Sequence, residues 1–362
     1  MNKNSNNKKK SNYKLMYNEK EAIFKFLNPN DNDQLSQLNG SDLQDLIILI
    51  DDYYIQLRNK LGFEKYITFG LELEFENAMK EKIDQKLATM FPNEEWRTTY
   101  DGSLHNGAEI DSPVLKDTKK TWLDLNKVCS VVQKLATIEK SAGGHIHIGT
   151  QTLGNKETSW LNFIKIWSVY ENIIFRFTYG DYLTARPNIN LYAEPTSKIF
   201  WEDYQELKAT KASLEAIINK LEHQEYQAVN FYNVVKDKCD EYQAYNTIEF
   251  RCPNGTLDPA IWQNNVNLLV NLLCYSKSSL YNDDIIEQRQ NINKDKYNEI
   301  KWYDEIYLDQ ALELCDMLFQ NNFDKIYFLR QYLKSYQITK NNCYLKANKL
   351  TKKGIKRITR KI

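Results

Sequence analysis

Three short stretches of the chain alternate apolar and polar residues with the period of a strand. In the first, Phe69, Leu71, Leu73 and Phe75 point one way, and Glu72, Glu74 and Glu76 point the other. In the second, Gly143 to Gly149, His145 and His147 back onto Ile146 and Ile148. In the third, Thr247, Glu249 and Arg251 back onto Ile248, Phe250 and Cys252. Weaker strands are predicted at Trp96 to Tyr100, at Gly107 to Leu115 across an Asp101-Gly102 turn, and at Ala228 to Val234. Helical spacing marks Glu19 to Leu27, Ser41 to Leu61, Ala78 to Met90 (stopped by Pro92), Lys119 to Glu139, Glu157 to Phe177, Leu207 to Leu221 and Pro259 to Tyr281. After a polar interval beyond Asp283 it returns at Tyr303 to Gln320 and Phe323 to Tyr336. Strands and helices mix without regular βαβ alternation, which predicts an α+β fold with a largely antiparallel sheet.

No internal repeat or Pro/Gly/Ser linker forces a split, so one catalytic domain is expected over residues 63–283. Helices at 19–62 and 284–340 would extend it, with a disordered Asn/Lys-rich tail at 1–18 and a basic tail at 341–362.

Composition narrows the function classes. The formal net charge is zero, which argues against a general nucleic-acid binder. The zero hides an asymmetry: Lys340 to Ile362 holds nine Lys/Arg and no acid, a run that reads as a solvated tail or as a patch answering an acidic body. Six cysteines, at 129, 239, 252, 274, 315 and 343, form no CxxC pair, so zinc-knuckle and thioredoxin-like chemistry is excluded and reduced thiols are expected. There is neither a membrane-length apolar run nor a signal-peptide core, and a cytoplasmic protein is expected.

The chemistry sits on the polar rows of the three strands. Same-face neighbours on a strand lie only ~7 Å apart, so a row of three carboxylates repels itself unless water or cations neutralise it. If the strands share one sheet, the polar rows converge. Carboxylates with an imidazole then make a site for a hard divalent cation such as Mg²⁺ or Mn²⁺, and arginines beside it hold an anion. Each row has a plainer explanation by itself: a solvated face for the glutamates, structural imidazoles for the histidines, a surface ion pair for Glu249 and Arg251. It is the joint occurrence that favours a metal site.

The blocks resemble the amidoligase family, in the superfamily of glutamine synthetase and glutamate–cysteine ligase. They run Gly70-Leu71-Glu72-Leu73-Glu74; Asp101-Gly102-Ser103-Leu104 with Gly107 to Leu115; Gly144-His145-Ile146-His147-Ile148-Gly149; Arg186 with Tyr192-Ala193-Glu194-Pro195; Val229-Asn230-Phe231; and Thr247 to Arg251 with Asn254 to Asp258. The resemblance covers roughly residues 66–275, and departs at Gln224 to Gln227, where an arginine often stands. It implies a curved antiparallel sheet of the glutamine synthetase catalytic type backed by helices, and ATP- and Mg²⁺- or Mn²⁺-dependent joining of a carboxylate to an amine through an acyl phosphate. By position it implies Glu72, Glu74, Glu109, His145 and Glu249 as metal ligands, and His147 and Asn230 on the nucleotide side. It further implies Arg186 and Arg251 on the γ-phosphate and acyl phosphate. Asp101 is either the base for the incoming amine or simply a turn residue, and Asp111 is an acid without an assigned role. Glu76 is read as solvated or as support for the ligands. A guanidino-kinase-like phosphotransferase and a non-catalytic interaction protein are the alternatives. The two substrates and the oligomeric state stay open.

Overall fold

The three alternating stretches become neighbours in a six-stranded antiparallel sheet. The computed structural model describes residues 28, 30–50, 55–93, 96–180, 189–222, 225–234, 246–297, 299–333, 336–337, 345–346 and 351–360. Its strands are β1 (Phe69–Glu76), β2 (Arg97–Thr99), β3 (Gly107–Asp111), β4 (Gly144–Gly149), β5 (Val229–Asn230) and β6 (Thr247–Phe250), in the order β2-β3-β1-β4-β6-β5. The sheet is open, and with its helices the architecture is α+β, as the sequence pattern predicts.

The apolar row of each strand is the reason the strands stay in register. Leu71, Leu73, Phe75, Ile110, Ile146, Ile148, Ile248 and Phe250 are all buried on that face. Large rings from three helices cover it. Trp122 of Lys119–Leu135 stacks on Phe69, with ring centres 5.3 Å apart. Phe163 and Trp167 of Glu157–Thr178 meet Phe250 at 6.1 and 5.6 Å. Trp262 of Pro259–Ser276 lies so close beneath Gly144 that a Cβ there would come within 2.2 Å of its ring. Only glycine fits at that position. With one face sealed by helices, the polar rows all lie on the other.

Several elements are shorter or more divided than their periodicity predicts. The helix expected to reach Leu61 is described only over Gly40–Ile50. From Ile55 the chain is irregular because side chains capture its backbone: Gln263 pairs both ways with Arg58, and the Asp117 carboxylate accepts from the N–H groups of Leu61, Gly62 and Phe63. The stretch read as one helix over Leu207 to Leu221 belongs to two, Ser197–Thr210 and Leu214–Leu221. Lys211 takes a left-handed conformation (φ 51°) that ends the first, and the Ser213 hydroxyl caps the second. The polar interval after Asp283 contains a helix, Asp283–Asn293, capped by Asn282 and anchored by the buried Ile286. The strand expected over Ala228 to Val234 pairs only at Val229–Asn230, because the Asn230 side chain turns back to accept from the N–H of Tyr232.

The chain divides into two compact units. The larger, Gln56–Glu305 with Ser335–Ala347, contains the sheet. The smaller is made from Met1–Ile55, Ile306–Lys334 and Asn348–Ile362. In it the Gly40–Ile50 helix is joined by Lys352–Thr359 through a Gln44–Thr359 hydrogen bond of 2.9 Å, while Asp316 accepts from the N–H groups of Leu35 and Ser36. The expected tail at 1–18, the helix at 19–27 and Arg186 lie outside the described residues.

Candidate metal centre

Register turns separate motifs into rows across the sheet. Residues paired directly across an antiparallel ladder share a face. One row reads Arg97, Asp111, Glu72, His145, from β2 through β3 and β1 to β4. The next reads Thr99, Glu109, Glu74. A third reads Gly70, His147, Glu249, Asn230, from β1 through β4 and β6 to β5. All five expected metal ligands therefore stand on one face, within three adjacent rows.

His145 is the centre of the cluster. Its Nδ1 hydrogen-bonds Glu72 Oε2 and lies 3.5 Å from Glu249 Oε1, while its Nε2 lies 3.7 Å from Glu74 Oε1. In the neutral tautomer that donates Nδ1–H to Glu72, Nε2 presents its lone pair to the Glu74 oxygen. Two acceptors then face each other across a gap that suits a cation. Two donor triads result, Glu72–His145–Glu249 and Glu74–Glu109–His145, the ligand atoms of each lying within 4.8 Å of one another. A neutral imidazole has one lone pair, so His145 completes one position and carboxylates dominate the other.

The titration behaviour of the cluster follows from its crowding. Burial pushes the Glu109 carboxyl up, and the negative charges of Glu72, Asp111, Asp101 and Glu74 push it further, to about 9. Thr99 is its hydrogen-bond donor among the described residues, at 3.1 Å. Asp111 is also raised, by burial and then by Glu72, even though Thr99 and Arg97 oppose the shift. Glu72 goes the other way: burial acts to raise it, but His145 and His147 together hold it far below the carboxylate range. His147 is raised in turn: burial acts to lower it, but its Nε2 bond to Glu72 (2.7 Å) and the charges of Glu72 and Glu249 together outweigh that. The acids on the β3 side are thus short of positive charge, and a bound divalent cation would supply it.

Asn230 and Arg251 bracket the far ligand. Asn230 Nδ2 donates to Glu249 Oε2 at 2.9 Å while its Oδ1 accepts from the N–H of Tyr232, so this side chain fixes the carboxylate. Arg251 Nη1 donates to the other oxygen, Oε1, at 2.5 Å, and its Nε donates to the Tyr192 carbonyl at 3.0 Å. Glu74 is steadied by the N–H of Gly143, 2.5 Å from its Oε2. Asp101 Oδ1 accepts from the N–H of Ser103 in a tight turn, and its charge contributes to the raised Glu109. Glu76 departs from expectation. It is buried rather than solvated, and accepts from the N–H groups of His105 and Asn106 and the Ser141 hydroxyl, which locks the loop before β3.

Three contributors escape a reading by motif: Arg97 and Thr99 on β2, and Gly143 just before β4. The first two share a face by simple alternation, with the buried Thr98 between them on the other, so the signal was present once β2 had been paired with β3. Gly143 acts through its backbone, which no side-chain pattern reveals.

Comparison with known proteins gives the family. The family model described as "Putative amidoligase enzyme" matches residues 93–273, from just before β2 through most of the Pro259–Ser276 helix. The chain belongs to the amidoligase family. The matched segment holds Glu109, His145, His147, Asn230, Glu249 and Arg251, while β1 with Glu72 and Glu74 lies ahead of it. Among solved structures, a bifunctional glutathione synthetase from Pasteurella multocida matches with 14% identity and a TM-score of 0.43. That match covers 74% of this chain and 46% of the synthetase. No curated protein matches the chain. Among the described residues, no helix is long and apolar enough to cross a membrane.

Proposed function

We propose that this amidoligase is an ATP- and Mg²⁺-dependent carboxylate–amine ligase of the glutamine synthetase and glutamate–cysteine ligase type, with Mn²⁺ as the other suitable ion. It would form an amide or isopeptide bond through an acyl phosphate. The observation that carries the reading is the pair of donor triads sharing His145, with Arg251 anchored beside Glu249.

The donor set fits the metal. It consists of carboxylate oxygens and one imidazole nitrogen, the hard ligands Mg²⁺ and Mn²⁺ take, and its crowded acids lack compensating donors. A cation bound there would neutralise phosphate oxygens during transfer. The chain's own residues account for the rest. A carboxylate is a poor electrophile because its leaving group would be oxide. Transfer of the γ-phosphoryl group to it gives an acyl phosphate that an amine can displace. Such a transfer depends on positioning and charge neutralisation rather than covalent help. The sequence has no GxxxxGK[ST] loop to cradle phosphates, so that work falls to the carboxylate-held metal and to arginine. Arg251 is the described arginine in place to hold a phosphoryl or carboxylate oxygen. Arg186 is proposed as its counterpart from its position in the family pattern. His147, whose charged form Glu72 favours, suits a phosphate oxygen. Asp101, with one oxygen occupied by its turn, has the other for the amine proton.

The test is ATP turnover by the whole chain with Mg²⁺ and hydroxylamine as a generic amine. Hydroxamate formation is the expected result. A phosphorylated acceptor that is stable to amine would instead establish the phosphotransferase, and Mg²⁺-independent, turnover-free behaviour would leave an interaction protein on a ligase fold.

A further inference from the structure

Beside Arg251 the chain builds a small aromatic support that the phosphate-binding reading leaves unused. A short parallel bridge pairs Glu194 with Gln227; the Glu194 N–H donates to the Tyr226 carbonyl at 2.8 Å, and the Ala228 N–H donates back to the Glu194 carbonyl at 2.8 Å. These bonds fix Tyr192 and Tyr226 next to each other, their rings edge to face at 6.2 Å and 84°. Just past the end of β6, the Arg251 N–H donates to the Ala228 carbonyl at 3.0 Å, so the arginine emerges alongside the same bridge. Its guanidinium is then held on three sides. Nε donates to the Tyr192 carbonyl, Nη1 donates to Glu249, and Cζ lies over the Tyr226 ring, 5.6 Å from its centre.

We propose that Tyr226 is a positioning residue that sets the plane of the Arg251 guanidinium, so that its remaining N–H groups meet a phosphoryl or carboxylate oxygen on the metal face. The physical case is one of entropy and direction. An arginine loses the rotamer freedom of a long side chain when it grips an anion, and a guanidinium already held by two hydrogen bonds and a ring face has lost part of it beforehand. The tyrosine face attracts the cation without consuming a hydrogen-bond donor. Two edges of the fork are occupied by Tyr192 and Glu249, so the ring is the contact that fixes tilt while leaving Nη2 available. Tyr226 is itself 48% exposed, more than a ring kept for core packing requires. Its hydroxyl has no role in the argument; the ring face does.

The inference rests on the proposed role of Arg251, and the experiment separates the two. Tyr226→Phe keeps the ring and Tyr226→Leu removes it. Three quantities are measured on the full chain: Mn²⁺ affinity, steady-state ATP turnover with Mg²⁺, and the dynamics of the Arg251 Nε–H group in protein labelled with ¹⁵N-arginine. The Phe variant should match the parent in all three. The Leu variant should keep its Mn²⁺ affinity, show a mobile Arg251 signal, and raise the KM for ATP or lower kcat by about tenfold. A Leu variant with a rigid Arg251 signal and parental kinetics overturns the proposal. So does a Phe variant as impaired as Leu, since the hydroxyl would then be the active part. If the parent turns over no ATP, the ligase reading fails, yet the Arg251 signal and its response to inorganic phosphate in the two variants still decide whether Tyr226 positions it.

Discussion

Two groups of buried carboxylates in the larger unit are built on opposite plans. Glu171, on the Glu157–Thr178 helix, is fully buried and surrounded by donors. Its Oε1 accepts from Trp167 Nε1, the Thr196 N–H and the Thr196 hydroxyl, at 2.8, 2.6 and 2.9 Å. Its Oε2 accepts from the Ser197 N–H, the Ser197 hydroxyl and the Tyr303 hydroxyl. Glu76, at the end of β1, follows the same plan on a smaller scale. Three acids on the polar face do not. Glu74, Glu109 and Asp111 stand near other carboxylates with few donors, and His145 Nε2 lies 3.7 Å from Glu74. A charge buried for structure brings its own hydrogen bonds, because an unpaired one costs several kcal/mol. A charge half-solved, beside others like it, is waiting for a partner from outside the chain. The difference separates acids that the fold satisfies from acids that it leaves short of donors more sharply than burial alone.

The largest effect should come from breaking the first plan. Glu171→Ala removes the acceptor shared by the buried donors of Trp167, Thr196, Ser197 and Tyr303. A loss of about 3–5 kcal/mol in urea denaturation is expected, enough to unfold many domains. If the variant is as stable as the parent, the contrast drawn between the two groups has no energetic content.

Breaking the second plan should cost binding and activity instead of stability. Glu74→Gln and Glu249→Gln are expected to lower Mn²⁺ affinity by about a hundredfold or more and to abolish Mg²⁺-dependent ATP turnover, with melting temperature in chelator held or raised. Nucleotide turnover that survives both substitutions would show that the metal centre has been assigned to the wrong residues.

The two plans also differ in how legible they were. The polar face could be read from sequence because alternation with a period of two leaves little freedom: once Leu71, Leu73 and Phe75 must be buried, Glu72 and Glu74 must stand on the opposite side. What alternation cannot supply is the pairing between strands, and so the neighbours of each ligand. The Arg97–Asp111–Glu72–His145 row is a property of register, set by contacts between residues up to dozens of positions apart. The Glu171 cage was illegible for the same reason. Beyond Trp167, one turn back, its donors come from the start of the Ser197–Thr210 helix and from Tyr303, more than a hundred residues along the chain, and nothing in the helical pattern of Glu157 to Phe177 marks that acid as special. Helix ends were misjudged where a single residue overrode the periodicity, as at Lys211.

pH separates the plans at intermediate size. The folded-state pKa of Glu109 is raised to about 9, so without metal the folded chain holds this proton more tightly than the unfolded chain does. Its contribution is complete below the ordinary carboxylate range and declines as pH rises toward 9. His147, also raised, loses its contribution in the same direction above its ordinary range near neutrality. Glu72, held low, loses its contribution only in acid, outside this window. The melting temperature in EDTA should therefore fall between pH 6 and pH 9. Mg²⁺ should flatten that slope, and Glu109→Gln should reduce it in EDTA. Equal melting temperatures at both pH values in the chelated parent would contradict the raised carboxyl.

The smallest expected effect tests how finely the contrast is drawn. Thr99 is the donor the polar face does provide: its hydroxyl lies 3.1 Å from both Glu109 Oε1 and Asp111 Oδ2. A hydroxyl has one proton, so it satisfies one of these acids at a time. Thr99→Val keeps the shape and the β-branching that suit a strand while removing that donor. Without metal the loss should be about 1 kcal/mol or less, because protonated Glu109 can donate toward Asp111 in its place. With metal bound and both acids charged no such substitute exists, and Mn²⁺ affinity should fall by less than about tenfold. A Thr99→Val chain that is destabilised in EDTA yet binds Mn²⁺ as the parent does would place Thr99 with the donors around Glu171, as structural support rather than part of the metal face.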